Sequence, residues 1–132
     1  MPSLIARDAE QVVVGVDDDF RVREAITSLV ESAGYASRVF SSAEEFLQSG
    51  TLAGTSCLIT DVRMSGMDGI ELQRRARLVR PELPIIFISA HRDEGIQKQA
   101  LDGGAVDFMF KPFDAADLLD VIDRALKQSA ND

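Results

Sequence analysis

The chain has 132 residues, the size of one domain, and 45% of them are hydrophobic, enough for a core without disulfides or a structural metal. A single cysteine, Cys57, excludes a disulfide framework and a cysteine-based zinc site. With 14 basic and 22 acidic residues, the formal net charge of -8 argues against binding of nucleic acid or anionic lipid by this domain.

The apolar pattern predicts an alternation of strands and helices. Residues 1–10 are expected to form a short N-terminal arm and residues 11–132 a single domain. The predicted strands are 12–16, 36–40, 57–60, 84–89 and 106–110. The predicted helices are one that follows Asp19 and ends near residue 33, a short one after Ser41 and Ser42, and then 70–79, 95–101 and 114–128.

Each type of element has its own signal. The first strand, VVVGV, is β-branched and apolar on both faces, which is typical of a buried parallel strand. The first helix carries an apolar stripe with helical spacing that begins at Val22 and ends before Gly34. Asp19 and Asp114 stand where helix caps are expected.

Five such strand–helix units predict an α/β fold with a doubly wound, five-stranded parallel sheet and helices on both faces. The strand order 2-1-3-4-5, as in flavodoxin-like proteins, fits best. The longest apolar run falls well short of the roughly 20 residues of a membrane helix. The first residues do not resemble a signal peptide, so we expect a cytoplasmic protein without a membrane partner.

Polar side chains follow the ends of four predicted strands. In a doubly wound sheet the carboxyl ends of the strands meet at one edge, where ligands bind. We therefore expect the following residues to lie close together: Asp17, Asp18 and Asp19 after the first strand, Asp61 after the third, Ser89 at the end of the fourth and Lys111 after the fifth.

This combination of residues favours phosphoryl transfer assisted by Mg²⁺. Several carboxylates in one place repel each other, and a hard divalent cation relieves the repulsion. A carboxylate beside the metal can attack phosphorus, while Lys111 and Ser89 stabilise the charge on the phosphoryl oxygens. Other polar residues have simpler explanations: Asp19 is expected to cap a helix, and His91 to be an exposed loop residue.

Four motifs in this order resemble the receiver domain of two-component response regulators, and most closely the FixJ-type branch. They are VVGVDDD (13–19), LITDVRMSGMDG (58–69), PIIFISAH (84–91) and GAVDFMFKPF (104–113). With the alternating pattern, the resemblance covers about residues 11–128.

The resemblance implies a role for each residue of the site. Asp61 is the phosphoacceptor, and Lys111 pairs with the phosphate. Asp18 binds Mg²⁺ directly, and Asp17 binds it partly through water. Asp61 is itself a metal ligand, and the backbone carbonyl of Arg63 completes the protein's share of the metal ligands.

The resemblance also implies a switch. Ser89 is the hydroxyl that moves to the phosphoryl oxygen, and Phe108 is the aromatic side chain that turns inward when Ser89 moves. The Lys111–Pro112 peptide bond is expected to be cis. Repacking of the face formed by the fourth helix, fifth strand and fifth helix then changes partner or dimer contacts.

The partners follow from the same family. A histidine kinase donates the phosphoryl group, and small phosphodonors can replace it. The protein is expected to be a signalling switch that promotes its own phosphotransfer and dephosphorylation, rather than an enzyme. It is expected to form a homodimer when phosphorylated. FixJ-type regulators usually continue into a DNA-binding domain, and the sequence leaves open whether this chain stands alone or belongs to such a regulator.

Two positions depart from the family pattern. The family usually has proline at the position of Ser65, and here Ser65-Gly66 is expected to leave the loop after Asp61 mobile in the metal-free state. Phe110 stands where FixJ-type relatives tend to carry an acid, and it is either part of a docking surface or part of the core.

Three other interpretations remain. Asp17-Asp18-Asp19 also fits the first motif of a haloacid-dehalogenase-type phosphatase, in which Asp17 rather than Asp61 is modified. A receiver that binds a partner without phosphorylation is the second alternative. A flavodoxin-like cofactor binder is disfavoured because no Ser/Thr/Gly-rich phosphate loop follows the first strand, and three aspartates there would repel a phosphate unless a metal intervened.

Overall fold

A computed structural model describes residues 11–131, and the predicted arm, residues 1–10, lies outside the described residues. Five strands and five helices alternate along this part of the chain. They are β1 Val12–Val16, α1 Phe20–Ser32, β2 Ala36–Phe40, α2 Ala43–Gln48, β3 Cys57–Asp61, α3 Gly69–Val79, β4 Ile85–Ser89, α4 Glu94–Asp102, β5 Asp107–Phe110 and α5 Ala115–Asn131. The predicted elements are confirmed, with small shifts at their ends. A short 3₁₀ helix, Thr51–Gly54, precedes β3 and is not predicted by the apolar pattern.

The strands form one parallel sheet in the order β2-β1-β3-β4-β5, which confirms the predicted topology. The register aligns the ends of neighbouring strands. Val16 pairs with Thr60, Asp61 pairs with Ile88, and Ser89 pairs with Phe110. Residues that follow these strands therefore emerge at one edge of the sheet.

Helices cover the sheet on both faces, and the three central strands β1, β3 and β4 are accordingly buried along nearly their whole length. On one face Val13, Ile59 and Ile86 pack with side chains of α1 and α5, such as Ile26 and Ile122. The other face is covered by α2, α3 and α4, which contribute apolar side chains including Phe46, Leu72 and Ala100. Within residues 11–131, no helix is long and apolar enough to cross a membrane.

Local hydrogen bonds fix where the helices begin. The side chain of Asp19 accepts the backbone N–H of Arg21 at the start of α1, as expected for a cap. Asp114 accepts the N–H of Asp117 at the start of α5. At the end of α1, Gly34 has a φ of 91°, the left-handed conformation in which glycine commonly terminates a helix.

Gly69 allows α3 to begin directly against the end of β3. Its N–H donates to the carbonyl of Val62 at 2.7 Å. A Cβ atom at position 69 would collide with the carbonyl oxygen of Asp61 and would lie 3.1 Å from the Cα of Val62. The start of α3 thus packs against the backbone of Asp61 itself.

We expect Gly69→Ala to lower the free energy of unfolding by about 1–3 kcal/mol, the usual cost of forcing an extra methyl group into a packed site. Gly54→Ala is a matched control, because a Cβ at position 54 meets no atom within 4 Å. Urea unfolding of both variants tests the prediction. Equal stability of the two variants would contradict the close approach of α3 to Asp61.

Candidate functional site

Asp17 lies at the end of β1 and is fully buried. Its N–H continues the ladder to β2 by donating to the carbonyl of Phe40 at 3.1 Å. Its Oδ1 accepts the N–H of Asp19 at 2.8 Å, and its carbonyl accepts Nη1 of Arg23 at 2.8 Å. The position of Asp17 is therefore fixed by β2 and by the first turn of α1.

Asp61 occupies the equivalent place on the neighbouring strand and is 6% exposed. Its Oδ1 accepts the N–H of Val62 at 2.7 Å. Its Oδ2 accepts Nζ of Lys111 at 2.9 Å. One carboxylate oxygen is thus oriented by the backbone and the other by an ammonium group.

Lys111 lies between the two aspartates. Its Nζ is 2.9 Å from Oδ2 of Asp61 and also 2.9 Å from Oδ2 of Asp17. Only the contact with Asp61 has hydrogen-bond geometry, so Oδ2 of Asp17 is buried without a hydrogen-bond donor. The N–H of Lys111 donates to the carbonyl of Ser89 at 2.8 Å, which fixes the base of the side chain beside β4.

Burial and charge shift the pKa values of this group. Burial raises the pKa of Asp17 above its ordinary value of 3.8, and the negative charge of Asp61 adds to the effect. The Asp19 N–H and the Lys111 ammonium oppose this change but do not cancel it. Partial burial acts to lower the pKa of Lys111, but the two carboxylates outweigh it, and the pKa is raised. The ammonium group of Lys111 therefore does not fully offset the negative charge of the two carboxylates.

The residues present fit a divalent cation. Asp17, Asp18 and Asp61 each offer a carboxylate oxygen, and these oxygens lie within 4.8 Å of one another. Two of the three carboxylates are buried, and one buried oxygen of Asp17 lacks a hydrogen-bond donor. A set of oxygen donors with surplus negative charge is what Mg²⁺ and Ca²⁺ prefer in proteins. The expected metal ligand Arg63 lies in the exposed loop after β3, and the role of its carbonyl stays a prediction.

Ser89 lies at the end of β4, where its carbonyl accepts the N–H of Lys111, and Phe108 lies on the neighbouring strand β5 in register with Phe87. Ser89 is buried, and its hydroxyl is engaged within its own turn: it donates to the carbonyl of His91 at 3.2 Å and accepts the N–H of His91 at 3.1 Å. Phe108 is 6% exposed, and its ring stacks on Phe87 with a centroid distance of 5.8 Å. The inward position of Phe108 is therefore occupied in this structure while Ser89 is bonded to His91.

The structure confirms several local expectations. Asp19 is a helix cap, His91 is exposed, and the Lys111–Pro112 bond is cis. Cys57 is fully buried in the core.

Two contacts near the site are not predictable from the sequence. Oε2 of Glu44, on α2, accepts the N–H of Met67 in the loop after β3 at 2.8 Å. The guanidinium of Arg92 lies 4.1 Å from the centroid of the Phe110 ring, a cation–π contact. Both pairs are far apart in sequence, and only the fold brings them together.

Comparison with known proteins agrees with this architecture. The response regulator protein TmoT of Ectopseudomonas mendocina is 46% identical over 120 residues, which cover 91% of this chain and 54% of TmoT. The transcriptional regulatory protein FixJ of Bradyrhizobium diazoefficiens is 36% identical over 114 residues, which cover 86% of this chain and 56% of FixJ. The solved structure of the response regulator StyR superposes with a TM-score of 0.84 at 39% identity, covering 92% of this chain and 62% of that one.

The fold and the site define a flavodoxin-like α/β domain that carries an acidic cluster and a lysine at the carboxyl edge of its sheet. The chain belongs to the response regulator receiver domain family, whose match spans residues 13–123. FixJ-type regulators are among its relatives. The chain spans about half the length of TmoT and FixJ.

We expect Asp17→Asn to raise the free energy of unfolding of the metal-free protein at neutral pH, because it removes a buried negative charge whose loss of hydration and repulsion by Asp61 outweigh its attraction to Lys111. Because the pKa of Asp17 is raised on folding, the folded state binds this proton more tightly than the unfolded chain. Wild-type stability therefore falls as the pH rises from 3.8 through the raised pKa, and the advantage of the variant grows over the same range.

Urea unfolding in the presence of EDTA, at acidic and at neutral pH, measures this difference. Asp107→Asn is the control. Asp107 is the first residue of β5, at the amino-terminal end of the strand and away from the acidic cluster, and its carboxylate pairs with Arg124. A variant that is less stable than wild type at neutral pH, or equally stabilised at every pH, would contradict the prediction.

Proposed function

We propose that this receiver domain accepts a phosphoryl group on Asp61 from a histidine kinase in a reaction that requires Mg²⁺. The observation that carries the proposal is the orientation of the Asp61 carboxylate by Val62 N–H and Lys111, beside two further carboxylates. Carboxylates held in such a cluster combine a nucleophile with a metal-binding set. Family membership supports the histidine kinase as the donor.

In the proposed reaction, a carboxylate oxygen of Asp61 attacks the phosphorus of a phosphohistidine. The new O–P bond forms as the N–P bond breaks, and the electron pair returns to the imidazole of the donor. When bound, Mg²⁺ supplies positive charge that offsets the charge of the carboxylates and phosphoryl oxygens. Asp17 and Asp18, with the carbonyl of Arg63, would hold the metal beside Asp61.

Lys111 can stabilise negative charge both before and after the transfer. Its ammonium contacts Oδ2 of Asp61 before transfer and can pair with a phosphoryl oxygen afterwards. Hydrolysis by water returns Asp61 and releases inorganic phosphate. We propose that the domain assists both steps on its own side chain, and it is in this sense a signalling switch rather than an enzyme.

The acidic cluster disfavours the phosphatase alternative. In that alternative Asp17 is the nucleophile, but Asp17 is fully buried, its Oδ1 accepts a backbone N–H, and its Oδ2 faces Lys111. A receiver that acts without phosphorylation is also disfavoured, because Asp61 and Lys111 are in direct contact.

We further propose that phosphorylation acts through Ser89 and Phe108 on the surface formed by α4, β5 and α5. A phosphoryl oxygen offers Ser89 a charge-assisted hydrogen bond in place of its bonds to His91. The turn that carries His91 and Arg92 lies next to the Phe110 ring on β5, so a change at Ser89 reaches that surface. The proposed output is a homodimer formed through this surface by a cytoplasmic regulator.

The first prediction of this proposal concerns the acceptor residue. Incubation with acetyl phosphate and Mg²⁺ should add one phosphoryl group to the wild-type protein, as measured by intact mass. Asp61→Asn should abolish the gain because it removes the nucleophilic carboxylate, whereas Asp107→Asn should keep it. Omission of Mg²⁺ should suppress the reaction. A phosphoryl group that is still added to Asp61→Asn would show that another residue is the acceptor. If peptide mapping then located it on Asp17, the phosphatase mechanism would be favoured.

The second prediction concerns assembly. Sedimentation velocity should show a larger species when wild-type protein is incubated with acetyl phosphate and Mg²⁺, and Asp61→Asn should remain unchanged under the same conditions. A phosphorylated protein that sediments like the unphosphorylated one would count against a homodimer and would leave another partner as the output.

A further inference from the structure

The loop between β3 and α3 is fixed at its base by the backbone. The N–H of Gly69 donates to the carbonyl of Val62 at 2.7 Å, which closes a loop of residues 62–68. Inside this loop the side chains of Met64 and Met67 pack against the core face formed with α2, α3 and α4. Arg63, whose carbonyl is the metal ligand that the family resemblance implies, lies in the same loop and is exposed.

The tip of the loop is held by a side chain from another element. Glu44 is the second residue of α2, and its Oε2 accepts the N–H of Met67 at 2.8 Å. This is a hydrogen bond between residues that are 23 positions apart in sequence. The Met67 N–H and the N–H of Glu44 itself lower the pKa of this carboxyl below its ordinary value of 4.5, as expected for a carboxylate that accepts backbone hydrogen bonds.

Gly66 makes this contact sterically feasible. It has a φ of 78°, in the left-handed region that favours glycine. A Cβ atom at position 66 would lie 2.5 Å from Oε2 of Glu44. A side chain here would therefore conflict both with the backbone conformation and with the carboxylate that binds the next residue.

We propose that Glu44 is a positioning residue for the metal site: its carboxylate holds the loop of residues 62–68 in the shape that brings Arg63 to the acidic cluster. The assignment rests on the proposed function, because it concerns the cation that Asp17, Asp18 and Asp61 would bind. Ser65 leaves the loop without a proline to restrict its φ, so its shape depends more heavily on this hydrogen bond.

Three variants separate this role from a general loss of stability. Glu44→Ala removes the acceptor. Glu44→Gln keeps an acceptor oxygen for Met67 and removes only the charge. Glu45→Ala is the matched control: Glu45 is the next residue on α2 and also accepts a backbone N–H, that of Ser41 at 2.9 Å, but this bond lies at the start of its own helix.

The experiment is a titration of each protein with Mg²⁺ by calorimetry, with amide hydrogen exchange of the metal-free proteins as a second readout. Glu44→Ala should weaken Mg²⁺ binding roughly tenfold, the lower end of the loss when a group that orients metal ligands is removed. Glu44→Gln should retain most of the affinity. Glu45→Ala has the same charge change as Glu44→Ala and should leave the affinity unchanged. Exchange at Met67 should accelerate in Glu44→Ala and not in Glu45→Ala.

The outcomes are distinguishable. If wild type binds Mg²⁺ and Glu44→Ala binds it as tightly as Glu45→Ala does, the positioning role is overturned while the metal site stands. If wild type does not bind Mg²⁺, the metal site of the proposed function fails and this assignment fails with it. Loss in Glu44→Ala with rescue in Glu44→Gln supports the assignment.

Discussion

The shared contact of one ammonium group with two buried carboxylates is the interaction on which this site depends. Nζ of Lys111 lies 2.9 Å from Oδ2 of both Asp17 and Asp61, yet only Asp61 receives a hydrogen bond. Removing a carboxylate from water costs several kcal/mol, and attraction to a cation offsets this cost only when the geometry is good. Here one ammonium serves two carboxylates, and the carboxylate of Asp18 lies beside them. The arrangement is poor for stability, and it is well suited to binding further positive charge.

The order of the strands explains how these groups meet. β1 and β3 are neighbouring strands, so Asp17 and Asp61 lie side by side at the carboxyl ends of these strands. Lys111 follows β5, which is separated from β3 by β4. A long side chain is needed to cross the end of β4, and the hydrogen bond from Lys111 N–H to Ser89 fixes where that side chain starts. The same crossing places Ser89 beside the lysine backbone, so the proposed acceptor and the proposed switch belong to one hydrogen-bonded edge.

The parts of this site that follow from local rules could be predicted from the sequence. Apolar runs indicate the strands, and the residues just beyond them lie at the carboxyl edge of the sheet. The cap at Asp19 is a local hydrogen bond to a residue two positions further along the chain. The contact of Glu44 with Met67 could not be predicted, because no sequence pattern links the two residues. They are 23 positions apart, and only the fold brings them together. The inward position of Phe108 also depends on packing, here against Phe87 on the neighbouring strand.

The hydrogen bonds of Ser89 indicate how the proposed switch at this edge would be balanced. Its hydroxyl makes two neutral hydrogen bonds to the backbone of His91, at 3.1 and 3.2 Å. Each such bond contributes about 0.5–1.5 kcal/mol, and a hydrogen bond to a charged group contributes about 1.5–3 kcal/mol. One bond to a phosphoryl oxygen therefore matches the two that Ser89 would give up, so neither arrangement is strongly favoured by Ser89 alone. Packing must then decide the balance, and the contact of Arg92 with Phe110 joins the turn after Ser89 to the aromatic side chains of β5. The negative charge that the proposed phosphorylation adds at Asp61 would shift such an equilibrium, because the competing interactions are similar in size.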